Sequence, residues 1–90
     1  STGIDNSSFI QSTMKVYPNP ATDMIQIDAS ASKTPVRSIN MYDISGRLVR
    51  SLDRLDDMKL MLDVRNLDAG AYFMNIKFDS GEVIEKITIQ

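Results

Sequence analysis

At 90 residues, with 42% hydrophobic and 24% charged positions, the chain has the composition of one globular domain and no room for a second core. A net charge of -2, with Lys and Arg scattered singly, offers no basic field for nucleic acid. The absence of Cys removes disulfides, thiolate catalysis and zinc-thiolate sites, and the absence of His removes the commonest general base near neutral pH and the commonest transition-metal ligand.

No apolar run approaches the roughly 18 residues of a membrane span, and the amino end lacks the charged and apolar regions of a signal peptide. Ser1 to Ser12 are mostly small and polar and read as a linker or arm, so the domain is expected to span residues 13–90. Asn6-Ser7-Ser8 fits a glycosylation acceptor pattern, a match short enough to arise by chance.

Met14-Lys15-Val16-Tyr17 is the first predicted strand. Pro18-Asn19-Pro20-Ala21-Thr22-Asp23 ends it as a stiff corner, because two prolines remove two donors and push the residues before them towards extended geometry. Asp23 to Asp28 then alternates with Ile25 and Ile27 inward, and Ala29 to Pro35 is a loop rich in Ser and Thr. Val36 to Tyr42 is the third strand, with Ile39 and Met41 inward, and Asp43-Ile44-Ser45-Gly46 is a turn. Arg47 to Leu52 returns as an edge strand whose faces are mixed, since Leu48, Arg50 and Leu52 share one side. After a charged loop at Asp53 to Met58, Lys59 to Val64 alternates with Leu60, Leu62 and Val64 inward.

The cleanest strand pattern follows: Tyr72, Met74, Ile76 and Phe78 fall on one face and Phe73, Asn75 and Lys77 on the other. Gly70 can take a backbone angle closed to other residues, and the Leu-x-x-Gly-x-Tyr approach has the form of a tyrosine corner, whose hydroxyl bonds backbone a few residues upstream. Asp79-Ser80-Gly81 makes a tight hairpin into Glu82 to Gln90. There Val83, Glu85, Ile87 and Ile89 share a face, which buries Glu85 unless a bulge after Ile84 shifts the register. About seven short strands with no helical period predict an all-β fold, an immunoglobulin-like antiparallel β-sandwich.

Candidate chemistry is sparse. Asp53, Asp56 and Asp57 share a loop but lack the alternating acids and central glycine of an EF-hand, so a solvated acidic loop is expected. The six methionines are spread along the chain and read as core filler or partly covered surface. No serine sits in a glycine-flanked elbow or a serine-x-x-lysine box, and no carboxylate pair falls in an evident cleft. We therefore assign no catalytic residue, metal or cofactor.

Val16-Tyr17-Pro18-Asn19-Pro20-Ala21, Met41 to Val49, Leu67-Asp68-Ala69-Gly70-Ala71-Tyr72 and Lys86-Ile87-Thr88-Ile89, taken together and in this order, resemble the C-terminal sorting domain, type A, of the type IX secretion system of Bacteroidota. The resemblance covers residues 13–90 and implies a non-catalytic domain at the end of an exported cargo, read in the periplasm by the translocon and its shuttle components. It further implies removal by a sortase-like protease cutting in or upstream of residues 1–12, with the cargo joined to surface lipopolysaccharide or secreted. Recognition positions carried over from the family are Tyr17, Pro18, Asn19, Pro20, Gly70, Tyr72 and Lys86. Because the given sequence ends on a strand, Gln90 and an open edge of that strand are expected to belong to the recognised surface. The alternative is a carbohydrate- or protein-binding module of the same architecture, with Phe9, Phe73, Tyr17 and Tyr42 as its surface rings.

Overall fold

A computed structural model describes residues 14–90. The arm expected at residues 1–12, with the Asn6-Ser7-Ser8 triplet and Phe9, lies outside the described residues. The described chain forms seven strands: β1 (Lys15–Tyr17), β2 (Met24–Asp28), β3 (Ser38–Asp43), β4 (Leu48–Leu52), β5 (Lys59–Asp63), β6 (Gly70–Phe78) and β7 (Gly81–Ile89). Three of them make one sheet in the order β1-β2-β5, and the other four make a second in the order β4-β3-β6-β7. Every ladder is antiparallel.

The alternation of side chains decides how the sheets face each other. Ile25, Ile27, Leu62 and Val64 point inward from the first sheet and its flank, and meet Ile39, Met41, Met74, Ile76 and Ile87 from the second. Burying each such side chain is worth about 1.5–3 kcal/mol relative to leaving it in water, which makes this cluster the dominant stabilising term. The strand β6 behaves as its pattern requires: Tyr72, Met74, Ile76 and Phe78 are all buried, and Phe73 is exposed. It lies inside its sheet, between β3 and β7. Of the methionines, Met14, Met41 and Met74 fill the core, while Met24, Met58 and Met61 are exposed.

Three local details differ from the reading of the sequence. Val36 lies outside β3, because its N–H donates to the Asp57 carbonyl in an isolated bridge to the loop before β5. In β4 the register shifts at Met41/Tyr42, so that Leu48 opposes Tyr42 while Leu52 opposes Ile39. That bulge puts one extra residue between the two leucines and sends them to opposite faces, which leaves Leu48 exposed. Glu85 meets neither of the two expected fates. The ladder between β6 and β7 runs through nine pairs without a shift, and Glu85 points to the inner side, yet it stays half-buried because β7 is the outermost strand of its sheet.

Candidate functional site

The residues singled out in the sequence converge on one end of the sandwich, where β1 finishes, β6 begins and β7 ends. The corner after β1 is short of backbone donors, since Pro18 and Pro20 have none, and a side chain makes up the deficit. Asn19 Nδ2 donates to the Lys86 carbonyl at 3.0 Å, and its Oδ1 accepts the Thr88 N–H at 3.0 Å. This is the bonding of a peptide group in a parallel ladder, performed by a carboxamide. Two residues on, the backbone takes over: Ala21 N–H donates to the Thr88 carbonyl at 2.8 Å, and Gln90 N–H donates to the Ala21 carbonyl at 2.8 Å. Ala21 is fully buried and forms a parallel bridge with Ile89. The segment from Pro18 to Ala21 therefore covers the outer edge of β7 from the Lys86 carbonyl to Gln90.

Across β7 from this edge, at the start of β6, stands the tyrosine corner. Tyr72 O–H donates to the Asp68 carbonyl at 2.6 Å, four residues upstream, and its ring is buried. Gly70, which pairs with Ile89, has φ +150°, a conformation strained for any residue with a β-carbon, although the space around it is open. The middle motif closes the same end. Asp43, opposite Tyr72, folds the turn by accepting at Oδ1 from the Ser45 N–H, the Ser45 hydroxyl and the Arg47 N–H. The Ser45 hydroxyl bond, first, and then the Arg47 N–H hold its carboxyl below the ordinary Asp range. Nearby, Asp63 is lowered to about 2, chiefly by the hydrogen bonds it accepts from the Arg65 side chain and backbone.

Between this turn and the corner lies a cleft of about 260 Å³, lined by Ile44, Ser45, Ala69, Gly70 and Tyr72 among others. Ile44 sits on its rim with 74% of its surface in water, which no packing requirement accounts for. A larger and more open hollow of about 390 Å³ lies at the opposite end around the Phe78 to Glu82 hairpin and contains none of the motif residues.

Asn19 thus bonds the Lys86 carbonyl and Ala21 the Gln90 N–H, while Gly70 and Tyr72 pair with Ile89 and Ile87 from β6. Lys86 takes part through its carbonyl; its side chain is exposed beside Phe73 and has no carboxylate partner among the described residues. Tyr17 is exposed at the end of β1, beside Gln26. The Asp43 to Arg47 turn lies within the Met41 to Val49 motif but outside the recognition positions, and only the fold brings it to the same end. In the acidic loop, Asp56 is engaged by Arg37 at 2.8 Å, and Asp57 gives its carbonyl to Val36.

The family model described as the secretion system C-terminal sorting domain matches residues 15–90, nearly the whole chain. The chain belongs to that family, whose members are sorting signals for type IX secretion and direct export to the cell surface or the medium. Among solved structures it is similar to a DUF3244 family protein with an immunoglobulin-like β-sandwich fold from Bacteroides vulgatus ATCC 8482. The TM-score is 0.72 at 18% identity, over 87% of this chain and 85% of that one, so this likeness speaks for the fold alone. No curated protein sequence matches the chain.

Proposed function

We propose that residues 13–90 are a type A sorting domain of a Bacteroidota protein, recognised in the periplasm at the end of the sandwich where the motifs meet. The cargo precedes the domain, a sortase-like protease cuts in or upstream of residues 1–12, and the freed cargo is joined to surface lipopolysaccharide or released. The domain itself is substrate and carries no reaction; family and fold both point to a module of that kind. In this reading Asn19, Gly70 and Tyr72 build the recognised shape, while the exposed Lys86 ammonium and Ile44 meet the translocon or its shuttle.

The observation that carries the proposal is the sewing of the Pro-Asn-Pro corner onto the last strand, which brings motifs 67 and 69 residues apart into one surface. To test it, residues 1–90 are fused behind a periplasmic reporter in a competent strain and in one lacking the translocon. The expected result is a trimmed reporter outside the competent cells and an untrimmed one inside the mutant. Lys86→Glu reverses an exposed charge without removing the carbonyl that holds Asn19, and is expected to retain the reporter with the domain still folded. Export of that variant at the normal level removes Lys86 from the recognised surface, and a reporter held inside competent cells overturns the sorting role.

A second reading has one observation in its favour. Tyr42 and Phe73 are register partners on the outer face of the four-stranded sheet, with Leu48 beyond Tyr42, which is the kind of flat ring platform that binds sugars. A glycan pull-down that depends on Phe73 selects this binding module instead.

A further inference from the structure

The covering of β7 by Pro18 to Ala21 stops short. Thr88 N–H and C=O and the Lys86 carbonyl point to the outer edge, where Asn19 and Ala21 take them. By the alternation of an antiparallel ladder, the N–H of Lys86 and both backbone groups of Ile84 and Glu82 face the same way. Among the described residues nothing pairs with them. Among the described residues the uncovered edge is thus the stretch from Glu82 to Lys86, long enough to accept one short extended segment.

Beside that edge, on the inner side, stands Glu85. Its strand neighbours on that face are Val83 and Ile87, and the residue opposite it on β6 is Met74, so its surroundings are apolar. No hydrogen bond or ion pair to its carboxylate exists among the described residues. Burial alone raises its pKa, and no neighbouring charge acts on it. A half-buried carboxylate at an open edge penalises any neutral strand that docks there, because docking would take the charge further out of water with nothing to meet it. A segment that brings a cation to the same place turns the penalty into a charge-assisted bond.

We infer that the β7 edge from Glu82 to Lys86 is a docking site for an extended segment of a partner protein that carries a Lys or Arg facing Glu85. Residues 1–13 do not meet this requirement, since Ser1 to Thr13 contain neither Lys nor Arg. A second copy of the chain meets it poorly: antiparallel pairing centred on Ile84 matches Glu82 with Lys86, but it sets each Glu85 against Val83. This surface is a property of the fold and stands whether or not the domain directs export.

The test uses the full chain and a short peptide of alternating Thr and Val with one central Lys, compared with peptides carrying norleucine or Glu at that position. Amide hydrogen exchange and chemical-shift changes locate binding, and titration gives affinity. The Lys peptide is expected to bind about tenfold more tightly than the norleucine one, a gain typical of one charge-assisted bond. It should slow exchange at Ile84 and Glu82, and Glu85→Gln should abolish the preference while Glu85→Lys transfers it to the Glu peptide. Equal binding of the three peptides to the unaltered chain, or protection elsewhere than β7, overturns the inference. So does slow exchange at Ile84 in the free chain, which means that an intramolecular segment already occupies the edge, or the same protection appearing on self-association, which assigns the edge to a second copy.

Discussion

The two ends of the sandwich are closed by different chemistry. At the motif end, the incoming corner and the approach to β6 are fixed by an amide and a phenol bonded to backbone: Asn19 to Lys86 and Thr88, and Tyr72 to Asp68. At the opposite end backbone bonds such as Val36 N–H to the Asp57 carbonyl also hold the loop, and the side-chain joining is done by one guanidinium. Arg37 bonds Asp56 at 2.8 Å and Asp79 at 3.0 Å, tying the loop before β5 to the hairpin between β6 and β7, with both carboxylates largely in water and the Arg37 side chain 41% exposed. Bonds to the backbone are directional and insensitive to salt, so they fix a segment's path, whereas exposed ion pairs are screened and worth little. The difference explains why the motif end is spelled out residue by residue: the Asn19 carboxamide reproduces a peptide group, and the Tyr72 phenol reaches the Asp68 carbonyl four residues back.

The largest loss in stability is expected at Asn19. Replacing it by Ala removes two hydrogen bonds at about 1 kcal/mol each, so unfolding by denaturant should show about 2 kcal/mol less stability. Exchange of the Thr88 amide should accelerate while that of β6 changes little. A smaller effect is expected for Tyr72→Phe, which keeps the buried ring and loses one bond, about 1 kcal/mol and a Tm lower by roughly 5 °C in a thermal melt. Neither difference should depend on ionic strength. Smallest of all is Arg37→Ala, at most about 1 kcal/mol in dilute buffer and near zero in molar salt. A salt-insensitive loss at Arg37, or a salt-sensitive one at Asn19, erases the contrast between the ends.

Much of this architecture was legible in the order of residues. The strand β6 could be read directly, because a half-buried strand writes its two faces as alternating letters, and the tyrosine corner follows from a spacing of a few residues. The bulge in β4 was less visible, since one inserted residue is detectable only against its partner strand; the mixed faces of Arg47 to Leu52 were its trace. Least legible was the role of Asn19. Its partners lie 67 and 69 positions away, no periodicity links them, and an Asn between prolines reads equally well as a turn or as a recognition residue. Glu85 shows the converse limit: alternation assigns its face, but how deeply it sinks depends on whether β7 has a neighbour, and that is a matter of sheet order.

The tie between the corner and β7 also has a mechanical consequence. Pro18 to Ala21 runs parallel to the strand it covers, so tension applied to the chain before the corner and after Gln90 pulls these neighbours in opposite directions along their length. The Lys86, Thr88, Ala21 and Gln90 bonds then carry the load in shear and must rupture together, where a hairpin pulled at its open end would unzip one rung at a time. A force applied across these two segments meets a clasp before it meets the core.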